Sequence, residues 1–182
     1  SQGIYLVHDA TSLEKDAVRV GEVESVDSNR TIYQEFVESD QYSLHIINDF
    51  SGRPVSVVGM VNLVSHVNGE SFQIVTDDEP RLLELGWQLG TALGHVGPAC
   101  VDVHKRGDHY VVLEINPRFG GGYPASHFAG ADFTGMVLAM SRGENLEPNP
   151  NRNFEPGVVM MKQYTAFPTT LEAISASVIY YT

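Results

Sequence analysis

Residues 113–124, LEINPRFGGGYP, constrain this chain more than any other stretch. Tyr110-Val111-Val112-Leu113 is a run of strand formers. Alternate side chains on a strand share a face, so Glu114 and Asn116 point one way while Leu113 and Ile115 point the other way, toward the core. Pro117 has no amide hydrogen to give to a ladder and ends the strand. Arg118 and Gly120-Gly121-Gly122 are thereby delivered to the strand's carboxyl end, where a backbone free of Cβ atoms approaches an anion closely. A carboxylate, a carboxamide and a guanidinium at alternate positions, then three glycines, outline a metal and phosphate site. Alternating polar residues are also what the solvent face of an ordinary strand carries. The Asn-Pro-Arg step and the glycines favour the site.

A hairpin sharpens that expectation. Cys100 to His104 and His109 to Asn116 read as two strands around Arg106-Gly107-Asp108. If the register sets Asp102 opposite Glu114, their Cβ atoms lie about 5 Å apart. Two carboxylates that close repel unless a cation sits between them. Oxygen ligands from Asp102, Glu114 and Asn116, completed by water and a polyphosphate, suit magnesium, whereas zinc favours His and Cys. Arg118 then balances phosphate charge. His8, His45, His95, His104, His109 and His127 show no ligand spacing, and Cys100, in an apolar strand, reads as core rather than nucleophile.

Strands and helices alternate without linkers or repeats. Ile4–Val7, Thr31–Val37, Tyr42–Asp49 and Val55–Val64 read as strands, with turns at Ser51-Gly52-Arg53-Pro54 and Asn68-Gly69. Thr11-Ser12 caps a short helix over 13–18. Asp77-Asp78-Glu79-Pro80 opens a helix carrying Leu82, Leu85, Leu89 and Leu93 and ending at Gly94. Phe133, Met136, Val137 and Met140 line one face of a later helix, and Val158–Tyr164 looks like a strand that closes the sheet. Residues 171–181 fit helix or strand equally. The architecture is α+β, with a mostly antiparallel sheet flanked by helices.

Composition narrows the function classes. With 182 residues, 42% of them hydrophobic, the chain buries one substantial core. A net charge of −12 argues against a nucleic-acid backbone or an anionic membrane as partner, but not against a nucleotide bound through a metal. One cysteine permits no intrachain disulfide, and no apolar run reaches the roughly 20 residues a membrane span needs, so cytoplasm is the default location. P-loop nucleotide binding fails because no Gly-Lys-Ser or Gly-Lys-Thr follows a glycine cluster.

LEINPRFGGGYP, preceded by LGHVGPACVDV at 93–103, strongly resembles the catalytic C-terminal lobe of the ATP-grasp superfamily, in particular the carbamoyl-phosphate-synthase-like ligases. YQEFVESDQYSLHIINDFSGRPV at 33–55 resembles that family's hinge. The resemblance implies that Asp102, Glu114 and Asn116 bind Mg2+ (or Mn2+), with Glu114, Asn116 and Arg118 acting on the transferred phosphate. It implies that Gln34, Glu35, Phe36 and Val37 hold the adenine of ATP, with Gln41 where the family usually has a ribose-binding glutamate. His66, beside Ser65 and Asn68, is a candidate phosphate contact, although a lone histidine near a turn is more often a surface residue. Relatives carry basic side chains on the strand matching Val58–Val64, where this chain offers only Asn62. The resemblance also implies preceding lysine-bearing strands, and of Lys15, Lys105 and Lys162 none obviously replaces their lysines.

The resemblance further implies one lobe over 1–182, with 1–30 the remnant of a lid subdomain and 31–182 the catalytic subdomain. The partners implied are ATP, a small carboxylate and further N-terminal domains of the same enzyme; homo-oligomerisation stays open. The activity implied is carboxylate activation through an acyl phosphate, then ligation to an amine or similar nucleophile, with this fragment alone inactive or weakly active. Gln41 and the missing basic residues keep open a non-catalytic nucleotide-binding or scaffolding lobe.

Overall fold

The computed structural model describes residues 6–9, 11–12, 32–65, 71–151, 153–163, 168 and 170. Ile4, Tyr5, Thr31, His66, the Asn68-Gly69 turn and the segments 13–18 and 171–181 lie outside them. Six strands form one antiparallel sheet: β1 (Gln41–Asn48), β2 (Pro54–Ser65), β3 (Ser71–Asp77), β4 (Gly97–Arg106), β5 (His109–Asn116) and β6 (Val159–Met161). Their order is β5-β4-β1-β2-β3-β6. Helices α1 (Pro80–Leu93), α2 (Tyr123–Phe128) and α3 (Phe133–Ser141) complete the described elements.

Alternation along β1 supplies both faces. Tyr42, Leu44 and Ile46 join Val57, Leu82, Val101 and Val103 in a buried cluster beneath α1. Ile47 packs with Val58, Met60, Ile74, Ala125 and Phe133 on the opposite side, under α2 and α3. Helix α1 starts where expected: the Glu79 carboxylate accepts from the Leu82 amide at 2.8 Å, and Gly94 stops the helix in the left-handed conformation, φ 54°. Gly86 and Gly90 let it lie close on the sheet, since a Cβ on Gly90 would stand 2.9 Å from Pro54. Asn48, fully buried, ties β1 to this helix by donating to the Gly90 carbonyl at 2.7 Å.

Several expectations need correction. Ile32–Val37 joins no ladder: side chains tie it down instead, Gln34 Nε2 donating to the Leu113 carbonyl at 3.1 Å and Glu35 pairing with Arg106 at 2.8 Å. Leu6 and Val7 are exposed and unpaired in any strand. Asp9 and Ser12 bond each other, the Asp9 carboxylate accepting from the Ser12 amide while Ser12 Oγ accepts from the Asp9 amide. Leu113 and Ile115 do not reach the core, because β5 is the sheet's edge; Ile115 remains 36% exposed. Strand β3 and helix α2 were not expected at all. Ile74 and Thr76, buried at alternate positions of β3, carried a signal that was there to read. Strand β6 does extend the sheet, pairing with β3.

Candidate nucleotide and metal site

The hairpin of β4 and β5 builds the site. Asp102 lies directly opposite Glu114, and Cys100 opposite Asn116. Beyond Asp102 the ladder slips, so that Val103 pairs with Val112 and Leu113 is the extra residue of a bulge. The bulge bends the edge strand where the two carboxylates meet. Burial pushes the Asp102 carboxyl above its ordinary range, and the Glu114 charge pushes it further; Ser43, Arg118 and His104 offset this in part. A carboxylate held that way is short of a cation. Among the described residues no three His, Cys, Asp or Glu side chains converge. Asp102, Glu114 and the Asn116 amide are hard oxygen donors, a set that fits Mg2+ with coordination positions left for phosphate oxygens.

A chain of hydrogen bonds crosses the sheet behind Asp102. Asn62 Nδ2 donates to Ser43 Oγ at 3.3 Å, and Ser43 Oγ donates to Asp102 Oδ1 at 3.4 Å. Asn62 Oδ1 is buried without a hydrogen-bond partner among the described residues.

A cleft of about 390 Å³ opens over this face. Asp102, Asn116 and Arg118 line it together with Gly121 and Gly122 of the loop and Ser43, His45, Met60 and Cys100 of the sheet. The loop leaving β5 is held by its own backbone: the Arg118 amide donates to the Asn116 carbonyl at 2.8 Å, and Tyr123 and Ala125 amides donate to the Gly120 and Gly122 carbonyls. Tyr123 anchors it to α3, its hydroxyl accepting from the Thr134 amide at 3.0 Å. Gly120 and Gly122 lie flush on the floor, since a Cβ on Gly120 would come within 2.6 Å of Cys100 Sγ and one on Gly122 within 2.7 Å of Ile74. Cys100 is buried, and desolvation with Asp102 beside it lifts its thiol to about 12, which keeps it protonated and unreactive.

Asp102, Asn116 and Arg118 thus share one cleft, and Glu114 faces Asp102 from the edge strand. The hinge residues sit apart from it, along β4 and β5. The side chains of Gln34 and Glu35 are engaged with Leu113 and Arg106, Phe36 is 66% exposed, and Val37 is buried at 8%. Gln41 opens β1, where its Oε1 accepts from Ser65 Oγ at 3.5 Å. The strand matching Val58–Val64 presents no cation to the cleft, which Met60 lines. Sequence reasoning passed over Ser43 and His45, although the alternation Gln41, Ser43, His45 put both on the face shared with Asp102. It also set Lys162 aside. That residue follows β6, its amide donating to the Phe72 carbonyl, and its Nζ lies 3.6 Å from where a Cβ on Gly121 would be.

This antiparallel sheet, with its acidic edge hairpin and glycine loop, is the ATP-grasp fold. Residues 27–164 match the family model described as "ATP-grasp in the biosynthetic pathway with Ter operon", and the chain belongs to that family. No curated protein matches it. Among solved structures, the biotin carboxylase domain of a thermophilic 2-oxoglutarate carboxylase, bound to bicarbonate, is similar at TM-score 0.57 and 12% identity, over 69% of this chain and 30% of that one. A pyruvate carboxylase from Rhizobium etli with the allosteric activator acetyl coenzyme A is similar at TM-score 0.68 and 15% identity, over 85% of this chain and 15% of that one. These likenesses concern the fold. The chain spans less than a third of either relative. No helix among the described residues is long and apolar enough to cross a membrane.

Proposed function

We propose that this chain is the catalytic lobe of an ATP- and Mg2+-dependent carboxylate ligase. The observation that carries it is Asp102 facing Glu114 across the ladder, with Asn116, Arg118 and the triple glycine following on the same strand and loop. In this reading Asp102, Glu114 and Asn116 hold the metal, which when bound neutralises charge on the terminal phosphates of ATP. Arg118 stabilises the transferred phosphoryl oxygens. A substrate carboxylate oxygen attacks the terminal phosphorus, ADP leaves, and an amine or similar nucleophile then displaces phosphate from the acyl phosphate. No covalent bond to the protein is required. The amides of Gly120–Gly122 orient the acyl phosphate. Gln34, Glu35, Phe36 and Val37 border the adenine, Gln41 the ribose, and His66 the phosphates. Residues 1–30 belong to a lid and 31–182 to the catalytic subdomain, the remaining domains lying elsewhere in a cytoplasmic enzyme of the carbamoyl-phosphate-synthase-like type.

One observation favours a second reading, a nucleotide-binding lobe without turnover: no basic side chain of β2 faces the cleft. Calorimetric titration with ATP, with and without Mg2+, on the native chain and Glu114→Gln tests the metal–nucleotide site that both readings share. Saturable, metal-dependent binding that weakens in the variant is expected; equal binding by the variant would sink the metal assignment. ADP release by the complete protein then separates ligase from binding lobe.

A further inference from the structure

Ser43, Asp102 and Glu114 form one row across β1, β4 and β5: Ser43 is the register partner of Asp102, and Asp102 that of Glu114. Asp102 therefore has a hydroxyl on one flank and a second carboxylate on the other. Ser43 is 5% exposed, and its Oγ donates to Asp102 Oδ1 at 3.4 Å. On its other side Ser43 pairs with Met60, and Asn62, two residues further along β2, donates from Nδ2 to the same Oγ at 3.3 Å. The polarity of this relay is set at the carboxylate. An ionised acid carries no hydrogen, so only the serine can supply one between the two oxygens. Turned to Asn62 instead, that hydrogen would leave lone pairs of Ser43 and Asp102 facing each other. With the hydroxyl given to Asp102, its oxygen accepts from Asn62, which places the Nδ2 end of the carboxamide toward Ser43.

An aspartate carboxyl turns easily about its last torsion, whose wells are broad. Ser43 engages Oδ1 from the flank away from Glu114, and Oδ2 is left for the flank that Glu114 shares. Both members of the relay are neutral. A lysine or arginine in either place would pair with Asp102 and offset the charge that draws a cation, whereas a hydroxyl and a carboxamide orient the group and leave it charged. Resting on the ligase reading, we propose that Ser43 and Asn62 are positioning residues of the metal site. Ser43 holds Asp102 so that Oδ2 serves as the ligand, and Asn62 acts only through Ser43, by fixing its hydroxyl. Hydrogen-bond partners of ligating side chains set metal affinity in this way.

Metal affinity, read apart from turnover, tests this on the complete protein. The free Mn2+ concentration giving half-maximal binding of a non-hydrolysable ATP analogue is measured for the native protein, Ser43→Ala, Ser43→Thr, Asn62→Leu and the Ser43→Ala/Asn62→Leu double variant. Ser43→Ala is expected to raise that concentration roughly 10-fold, and Ser43→Thr, which keeps a hydroxyl, to restore most of the loss. Asn62→Leu is expected to raise it less, and to add nothing in the Ser43→Ala background, since its effect passes through the hydroxyl. Native Mn2+ dependence in Ser43→Ala would overturn the inference. Equal losses in Ser43→Ala and Ser43→Thr would do the same, by tracing the effect to packing, as would an Asn62→Leu loss that adds in full to that of Ser43→Ala. Should Ser43→Ala fail to fold, Asn62→Leu decides: a raised requirement for Mn2+ supports the relay and a native one overturns it. A native protein whose analogue binding needs no metal would bring down the ligase reading and this inference with it. Metal-dependent binding that every variant shares unchanged would overturn this inference alone.

Discussion

Gln34 reaches from the segment before β1 to the carbonyl of Leu113, the bulged residue beside Glu114, with Nε2 and oxygen 3.1 Å apart. One carboxamide thereby links the expected adenine-binding stretch to the strand that carries the acidic pair. Gln34→Ala is expected to cost about 1 kcal/mol or less in denaturant unfolding, since the bond is exposed. Its larger effect should be on ATP affinity, read by the same titration that tests Glu114→Gln. A variant that binds ATP as the native chain does would place Gln34 outside the nucleotide site.

Asp102 gives a stability prediction whose sign is set by its raised pKa. The folded state favours the protonated acid, so the charged form costs stability, and that cost appears as pH rises from the ordinary 3.8 through the raised folded value. Asp102→Asn should therefore melt higher than the native chain at pH 7 in the absence of metal, and should lose metal-dependent ATP binding. Lowering the pH into that window should weaken Mg2+ binding by the native chain, because the protonated acid no longer serves as a ligand. Unchanged melting in Asp102→Asn would show that the repulsion with Glu114 is already relieved.

His45 behaves in the opposite sense. Its pKa falls on folding, from the ordinary 6.5 to about 3, so its neutral burial contributes stability that is complete above 6.5 and is lost progressively as pH falls toward 3. Denaturant midpoints measured from pH 7.5 to 4 should fall in the native chain, and fall less steeply in His45→Gln. Parallel profiles would mean that the ring is not buried in solution.

The glycine loop separates two neighbours sharply. A Cβ at Gly120 meets Cys100 and His45, whereas one at Gly121 meets only the tip of Lys162 at 3.6 Å. Gly120→Ala should lose about 1–3 kcal/mol, as overpacking of a filled interior does. Gly121→Ala should stay within about 0.5 kcal/mol in unfolding. Equal losses would show that the loop lifts off the sheet.

On the sheet itself, Leu44→Ala should cost about 2–5 kcal/mol, since Leu44 is fully buried under α1. Ile115→Ala, at the exposed edge, should cost far less, on the order of 0.5 kcal/mol. Chemical denaturation of both variants checks the contrast.

The contrast also marks where the sequence was legible. Period-two alternation fixed the facing pair Asp102 and Glu114, and Pro80 with Gly94 bracketed α1, because those signals are local. Alternation says which side chains share a face but not which strand ends up at an edge, so Leu113 and Ile115 were assigned to the core. The bulge escaped notice because no residue at 113 demands it. Ile32–Val37 has the composition of a strand, yet its link to the edge strand β5 runs through the Gln34 side chain, which takes the Leu113 carbonyl where a ladder would use a backbone amide. Ser43 and His45 read as ordinary members of an apolar strand; only the glycine loop, arriving from 75 or more residues later in the chain, turns that face into a cleft floor.

The strand order has a kinetic consequence. β1 is bordered by β2 on one side and on the other by β4, which the chain supplies only after β3 and α1 have been laid down. β3 likewise waits for β6. Non-local pairings of this kind slow folding, because loop-closure entropy is lost before the contacts that offset it form. The α1 signal should therefore precede metal–nucleotide binding in refolding, because a local helix forms before the β1–β4 pairing that sets Asp102 beside Ser43.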